Sequence, residues 1–435
     1  MATSPTGRIP TNLRILLAAN FVSCVGSGLT LPFLLIYLHE VRHISLGITG
    51  LLIGGTSVVA IPIGPASGTL VDKFGPRFVC AAALVVDAIG TVGLILVRSP
   101  LSALPVLFIY GLANGATWPT WSALFAVMVR DGTLRPRVFA RSFQLLNLGL
   151  GTGSVIAGFV VHVSHPSSFD LIYVVDGVTY LSVVAALLLL PASAFVRAPV
   201  RADEAQAHPR GGYREVLSDR RFLRYLAATW LLAFAGYAAV NAGLVGYATV
   251  VVHAQPYVIA WAFAVNTALI VTIQPLALRV VGRMRRSTAL SICALFFATS
   301  WIVLGISGVF PRTSTGNDLV IAMFFVFALG EVLLSPVGGP LVSMMARPGL
   351  QGRYMATSSS IFTLSNVLGP AIAGAMLGAG LGDAYLGILV GCCAAAVIGF
   401  QWMRRTLSPE IDNAPSFRSD ETASKTDVAE EARPA

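Results

Sequence analysis

Three acidic residues lie inside long apolar stretches of this chain: Asp87, Asp176 and Glu331. A carboxyl group within a membrane span is costly, so it usually turns toward the protein interior or a water-filled cavity and finds a partner there. The chemistry open to such a group is the uptake and release of a proton. These side chains are the first candidates for functional residues.

A second pattern, His39-Glu40-Val41-Arg42-His43, has the spacing of the zinc-protease motif H-E-x-x-H. In that motif two histidines one helical turn apart hold zinc, and the glutamate acts as general base. Here the run lies in a short connection after the first apolar stretch, and no third acidic or histidine ligand is evident nearby in the sequence. A membrane zinc protease using His39 and His43 is therefore a distant alternative, and we expect no metal site and no cofactor.

Aromatic and asparagine side chains recur at helical spacing in two further apolar stretches. An aromatic stripe at this spacing is often simple packing, but asparagines within it favour a face turned toward a cavity. We predict that these residues, with one asparagine from the first stretch, line a substrate cavity: Asn20, Tyr110, Asn114, Trp118, Trp121, Trp230, Phe234, Tyr237 and Asn241.

The amino-acid composition indicates which kind of secondary structure positions these residues. The chain has 435 residues, of which 55% are hydrophobic and 11% charged, whereas a soluble domain carries about 25% charged residues. It is expected to be an all-α integral membrane protein. Its net charge of +9 does not indicate nucleic-acid binding, because the basic residues follow membrane topology. The five cysteines lie in or beside apolar segments and show neither metal spacing nor a disulfide pattern.

Apolar runs long enough to cross a bilayer, about 20 residues each, recur twelve times along the chain. The predicted spans lie near residues 14–37, 46–69, 78–98, 103–129, 140–163, 170–195, 222–250, 256–281, 287–309, 318–345, 355–379 and 382–404. If the N-terminus is cytoplasmic, only Arg42, Arg98 and Arg312 of the 29 basic residues fall on the outer side. Because cytoplasmic loops carry the excess of lysine and arginine, we predict that both termini are cytoplasmic.

Polar segments and an internal repeat divide the chain. Residues 1–196 would form a six-helix half, 197–221 a cytoplasmic linker, 222–406 a second six-helix half, and 407–435 a disordered cytoplasmic tail. A short amphipathic helix is expected near residues 213–223. The repeat pairs Arg137-Val-Phe-Ala140 and Gly153-Ser-Val-Ile-Ala-Gly158 with Arg353-Tyr-Met-Ala356 and Gly369-Pro-Ala-Ile-Ala-Gly374. Two equivalent halves are typical of transporters built from repeats.

The turn between the second and third spans carries the most specific pattern, G-x-L-x-D-x-x-G-x-R. Its residues are Gly68, Leu70, Asp72, Lys73, Gly75 and Arg77. We expect Gly68 to allow close approach of a neighbour and Gly75 to supply a turn conformation that a side chain would resist. The pattern resembles the signature loop of the major facilitator superfamily. The resemblance implies twelve helices in two pseudo-symmetric halves that rock about a central site, and a gating role for this loop. We further expect Asp72 to meet the positive end of a neighbouring helix, span 11, and Arg77 to pair with Asp131.

The resemblance also ranks the acidic residues, because spans 1, 4, 7 and 10 line the cavity in this superfamily. Glu331, in span 10, then becomes the first candidate for proton coupling and Asp87 the second, with Asp176 structural. The segments around Glu331 and Gly352-Arg353-Tyr354-Met355-Ala356 look like drug-exporter members, although the arginine that antiporters carry in span 4 is missing from Gly111-Leu-Ala-Asn114-Gly115.

These expectations together describe a secondary active transporter that exports small amphipathic compounds in exchange for protons. The sequence contains no G-x-x-x-x-G-K-[ST] motif for ATP. The expected partners are a small-molecule substrate, protons and the lipid bilayer of the plasma or inner membrane, with the protein a monomer and not an enzyme. A transporter of one specific metabolite, importing or exporting, is the alternative.

Overall fold

The computed structural model describes residues 10–129, 135–191, 213–347 and 350–412. Every secondary-structure element within these ranges is helical. Within these ranges, eleven helices are long and apolar enough to cross a membrane, and a bent pair of helices makes a twelfth span, in agreement with the twelve predicted spans. In chain order they are α1 Thr11–Val41, α2 Leu46–Phe74, α3 Pro76–Leu96, α4 Pro100–Met128, α5 Arg135–Val160, α6 Pro166–Leu189, α7 Arg220–Ala238 with Ala242–Val252, α8 Pro256–Val281, α9 Arg286–Ser307, α10 Ser314–Met345, α11 Gln351–Gly378 and α12 Gly382–Thr406.

The helices form two bundles that repeat one arrangement. In the first bundle α1 packs against α5 and α6, α4 against α2 and α3, and α3 against α6. In the second, α7 packs against α11 and α12, α10 against α8 and α9, and α9 against α12. Adding six to each helix number of a first-bundle pair therefore gives a second-bundle pair. This correspondence is the pseudo-symmetry that the sequence repeat predicted.

Two helix pairs, α2 with α11 and α5 with α8, make the main contacts between the halves. A Cβ built on Gly50 would lie 2.1 Å from the Pro370 carbonyl oxygen, and one on Gly54 would lie 2.4 Å from that of Val367. Only glycine permits this approach, since real Cβ atoms do not come within 3.0 Å of other atoms. The halves are therefore pressed together along this part of α2.

At its other end, α2 has free space beside Gly68. We call the side of the membrane that holds the α2–α3 turn the signature side. At Gly68, near that side, a Cβ would meet no heavy atom within 4 Å, and the same holds for Gly339 of α10. The close contacts that the described glycines make between the halves thus lie away from the signature side. The expected close approach at Gly68 is not present in this conformation.

Helix α7 is bent, and the single span predicted at 222–250 is a broken one. Its two parts, Arg220–Ala238 and Ala242–Val252, are bent by 48°. Wide π-helical turns occupy Phe234–Ala238 and Ala248–Val252. Two glycines of α7 leave room for aromatic rings of neighbouring helices, since Cβ atoms on Gly236 and Gly243 would lie 2.6 Å from the Phe297 ring and 2.0 Å from the Tyr385 hydroxyl.

The linker and the tail enter the fold at their described ends. A helix spans Tyr213–Ser218 and stops at Asp219, whose carboxylate caps α7 and accepts a 2.8 Å hydrogen bond from Tyr354. The predicted amphipathic helix near residues 213–223 is therefore interrupted at Asp219. At the other end, Pro409–Asp412 is helical and Asp412 is buried, although disorder was expected from residue 407. The remaining linker and tail residues, 192–212 and 413–435, lie outside the described ranges.

Candidate functional site

A cavity of about 340 Å³ lies inside the first half. It extends from the middle of the membrane toward the signature side, between α1, α3, α4, α5 and α6. Its lining is aromatic and weakly polar: Asn20, Ser23, Cys24, Ser27, Leu31, Asp87, Tyr110, Asn114, Thr117, Trp121, Phe125, Ser142, Phe143, Leu146, Leu150 and Tyr180. The structure thus brings together four predicted cavity residues, Asn20, Tyr110, Asn114 and Trp121.

Asp87 supplies the one carboxyl group among these lining residues. It is 5% exposed, and Thr117 of α4 lies with its hydroxyl oxygen 3.2 Å from Asp87 Oδ2. The lining includes no basic side chain, so the carboxyl group faces neutral polar and aromatic groups. An ionisable group in such a place can bind a proton or a cationic part of a ligand.

Asp176 of α6 is fully buried outside that lining. Its Oδ2 accepts a 2.7 Å hydrogen bond from the Thr30 hydroxyl of α1, and Thr179 lies within 3.4 Å of Oδ1. One turn further along α6, the Tyr180 hydroxyl lies 2.9 Å from that of Ser27. The Thr30–Asp176 and Ser27–Tyr180 contacts fasten α6 to α1, and the structural role of Asp176 stays a prediction.

The second group of predicted cavity residues lies in the other half. The Trp230 and Phe234 rings are 6.0 Å apart on α7, and Tyr237 lies 6.1 Å from Phe362 of α11. None of the three belongs to the lining of the first-half cavity. The side chains of Trp118 and Asn241 lie outside the described part of the chain. The aromatic stripes of α4 and α7 are therefore not brought into one described cavity.

Glu331 of α10 lies in the second half, where it faces two other helices. Its Oε2 accepts a 3.1 Å hydrogen bond from the Asn266 side-chain amide of α8. Tyr237 of α7 faces the same carboxyl group, within reach of a hydrogen bond. Glu331 remains partly accessible. The two candidate coupling residues, Asp87 and Glu331, thus occupy separate polar sites, one in each half.

The signature pattern forms a shorter turn than expected. Helix α2 continues to Phe74 and α3 begins at Pro76, which places Asp72 and Lys73 in the last turn of α2 and leaves Gly75 as the single connecting residue. Gly75 has a φ of 83°, a backbone conformation that favours glycine.

The side chains of the signature pattern differ in exposure and in the contacts that they make. Leu70, Asp72 and Lys73 are exposed. Arg77 donates a 2.7 Å hydrogen bond to the Leu188 carbonyl oxygen at the end of α6, so the pattern connects α3 with α6. Asp131, the predicted partner of Arg77, lies outside the described residues.

The H-E-x-x-H run does not have the geometry of the protease motif. The helical turn ends at Val41, and His43 has a left-handed φ of 52°, so the two histidines do not share one helical face. The His39 Nδ1 atom lies 2.9 Å from the Ile44 carbonyl oxygen. Within the described residues, no group of three acidic, histidine or cysteine side chains has a metal-binding arrangement.

Comparison with known proteins settles the family. The family model described as Major Facilitator Superfamily matches residues 16–255 and 240–431. The chain belongs to the major facilitator superfamily. It is therefore a membrane transporter and not an enzyme, and its helices form the two-half architecture of that superfamily.

Named relatives lie at low identity across most of the chain. Multidrug resistance protein MdtH of Aeromonas salmonicida (strain A449) is 24% identical over 362 residues, covering 81% of this chain and 84% of that protein. The uncharacterized MFS-type transporter YdeE of Escherichia coli (strain K12) is 26% identical over 374 residues, covering 83% and 88%.

Solved structures of transporters share the fold. A mutant of the nucleoside transporter NupG has a TM-score of 0.72 at 14% identity, covering 90% of this chain and 100% of that one. A D-xylose–proton symporter has a TM-score of 0.67 at 14% identity, covering 91% and 98%. At this identity the likeness concerns the fold alone.

Several residues of the site were not anticipated from the sequence. They are Thr117 beside Asp87, Tyr180 in the cavity wall and Asn266 beside Glu331. Asn266 could have been noticed, since it is an amide in the middle of an apolar span. Thr117 and Tyr180 carried no such signal, because hydroxyl side chains can also bond within their own helix.

Proposed function

We propose that this chain is a secondary active transporter that exports small amphipathic compounds in exchange for protons, by alternating access. The observation that carries the proposal is the first-half cavity, in which aromatic rings and short polar side chains surround the carboxyl group of Asp87. Its volume of about 340 Å³ falls in the range of small-molecule sites, about 300–1,000 Å³. The similarity to MdtH, named a multidrug resistance protein, agrees with an export role.

Proton coupling is assigned to Glu331 first and to Asp87 second. Glu331 lies at the meeting of α7, α8 and α10, so a change of its charge acts on three helices at once. Asp87 lies in the cavity wall, so its proton and a bound substrate occupy neighbouring positions. Energy from a proton gradient agrees with the absence of an ATP-binding motif from the sequence.

The signature turn is assigned to gating rather than to substrate binding. Gly68, Leu70, Asp72, Lys73, Gly75 and Arg77 lie at the signature-side end of α2 and α3, and Asp131 follows α4 in the sequence on the same side. The described members of this set are absent from the cavity lining. We assign the protein to the cell membrane as a monomer. We assign both termini to the cytoplasm, because the basic residues concentrate on the signature side.

A transporter of one specific metabolite is the second candidate. Six short polar side chains lie in the cavity wall, and a set of fixed hydrogen-bonding groups suits a single polar solute: Asn20, Ser23, Ser27, Asn114, Thr117 and Ser142. Competition separates the two candidates. Structurally unrelated amphipathic dyes should compete for one site in a multidrug-type exporter, whereas a specific carrier should respond to one polar solute class.

The decisive experiment measures substrate efflux by purified protein in proteoliposomes under an imposed pH gradient. Wild type, Glu331→Gln and Asp87→Asn are compared, each also assayed for substrate exchange without a gradient. We expect Glu331→Gln to lose gradient-driven efflux while it retains exchange. If Asp87→Asn alone loses the gradient-driven component, coupling belongs to α3. If the wild type ignores the gradient, proton coupling is wrong.

A further inference from the structure

The Glu331–Asn266 pair lies directly beside a contact between the two halves. Asn266 is 9% exposed and donates to Glu331 Oε2 at 3.1 Å. The next residue of α8, Thr267, projects onto Gly151 of α5 in the opposite half. A Cβ on Gly151 would lie 2.3 Å from Thr267 Oγ1. The residue whose amide holds the carboxyl group is thus followed directly by one whose side chain packs against the other half.

The same carboxyl group also faces the break in α7. Tyr237 is the last residue but one of the first α7 segment, before the 48° bend, and it faces Glu331. From α9, the buried Cys293 is a titratable side chain near enough to Glu331 to interact with its charge. Asn266 is therefore the described polar neighbour of Glu331 that cannot titrate, and it lies on the helix that contacts α5.

We propose that Asn266 is the positioning residue through which the loss or gain of a proton at Glu331 changes the α5–α8 contact between the halves. The inference rests on the proposed proton coupling and names a residue and a route for it. An amide donates a stronger hydrogen bond to a carboxylate than to a neutral carboxyl group. Ionised Glu331 therefore holds α8 firmly to α10, and protonation releases that restraint beside Thr267.

Asn266→Leu removes the donor and leaves the charged form of Glu331 less stable. Deprotonation then requires higher pH, so the pH profile of gradient-driven efflux should move upward by about one pH unit. Asn266→Asp, of nearly equal size, places a second carboxyl group beside Glu331 and should move the profile in the same direction, because neighbouring like charges disfavour ionisation. Thr272→Val is the control on α8, since Thr272 is exposed and bonds within its own helix; its profile should match wild type.

If Asn266 acts through Glu331, its effect must depend on the presence of the Glu331 carboxyl group. In a Glu331→Gln background, where substrate exchange is the activity that remains, Asn266→Leu should leave the pH dependence of exchange unchanged, since no titrating carboxyl group remains to be positioned. A merely structural asparagine would reduce transport equally in both backgrounds. An Asn266→Leu profile that overlies a gradient-driven wild-type profile would overturn the inference while leaving the proposed function intact. A wild type that ignores the gradient would instead overturn the coupling itself.

The α5 contact has its own test, using two glycines of the same interface. Gly151 faces Thr267, whereas a Cβ on Gly158 would lie 2.2 Å from that of Ala260, away from Asn266 along α8. Gly151→Ala should shift the pH profile, and Gly158→Ala should slow transport at every pH without a shift. If both glycine variants leave the position of the profile unchanged, the route through Thr267 is wrong.

Discussion

The Thr117 hydroxyl lies 3.2 Å from Asp87 Oδ2 and 2.8 Å from the Ala113 carbonyl oxygen, so its one proton serves one acceptor at a time. When Asp87 is ionised, the charge favours donation to the carboxylate. When Asp87 carries a proton, the carboxyl group can itself donate to Thr117, whose own proton then turns to Ala113. The protonation of Asp87 therefore decides whether the Thr117 hydroxyl bonds to the carboxylate or to the Ala113 carbonyl oxygen of α4 in the cavity wall.

Thr117→Val keeps the shape of the side chain and removes the hydroxyl, so Asp87 loses this donor. A hydrogen bond to a charged group contributes about 1.5–3 kcal/mol, which corresponds to an affinity change of about 10–100-fold. We expect dye efflux to weaken mainly through a higher KM. Thr117→Ser should restore most of the affinity, since it retains the hydroxyl.

Thr120→Val is the matched control for this prediction. Thr120 lies on the same helix, is buried and bonds to the Ala116 and Thr117 carbonyl oxygens, but it is not among the cavity residues. Its variant should keep the wild-type KM. Equal KM values for Thr117→Val and wild type would remove Thr117 from the substrate site.

The spans could be derived from the sequence because each needs about 20 apolar residues, and the family was inferred from the resemblance of the G-x-L-x-D-x-x-G-x-R pattern to its signature loop. The face of each helix that turns inward could not be derived. In a membrane, lipid and protein interior are both apolar, so hydrophobic periodicity does not separate them. This is why Tyr180 of α6 was overlooked, and why Trp121 lines the described cavity whereas Phe234, on the equivalent stripe of α7, does not.

Local polarity also gave an incomplete account of the tail. Residues after 407 are polar and charged, which favours disorder, yet Asp412 reaches the start of α9. Its Oδ1 accepts from the Ser287 backbone amide at 2.9 Å and its Oδ2 from the Ser287 hydroxyl at 2.8 Å. The contact depends on where α9 and α12 end in space, which composition does not reveal.

Asp412→Ala should therefore lower the stability of the second half. A helix cap contributes about 0.5–2 kcal/mol, and the buried Ser287 groups would lose their acceptor. Thermal unfolding of the purified protein in detergent is the measurement, and we expect a lower Tm. Asp412→Asn keeps an acceptor for the backbone amide and should lose less. A Tm for Asp412→Ala equal to that of wild type would show that the cap does not contribute to stability.

Adjacent glycines on α2 offer a test of the interface between the halves. A Cβ on Gly54 would lie 2.4 Å from the Val367 carbonyl oxygen of α11, whereas one on Gly55 would meet nothing within 4 Å. Gly54→Ala should prevent the halves from closing here and reduce efflux by at least about tenfold. Gly55→Ala should transport normally, with a small gain in helix stability of about 1 kcal/mol or less. Similar activity of the two variants would contradict the described packing.

The signature turn can be tested separately from the substrate cavity. Asp72 lies at the signature-side end of α2, exposed and outside the cavity lining, so a neutral replacement should not disturb substrate binding. We expect Asp72→Asn to reduce efflux by more than about tenfold while membrane insertion and equilibrium dye binding remain near wild type. The physical reason is that a charge at a helix end can be attracted to the positive end of another helix in one state and released in the other.

Gly68→Ala completes that test, because it adds a methyl group without changing charge. In the present conformation the added Cβ has open space, so the variant should fold and bind dye normally. If Gly68 approaches a neighbour when the signature side closes, Gly68→Ala will slow efflux as Asp72→Asn does. Normal efflux by both variants, measured in the same proteoliposomes, would show that this turn takes no part in the change between states.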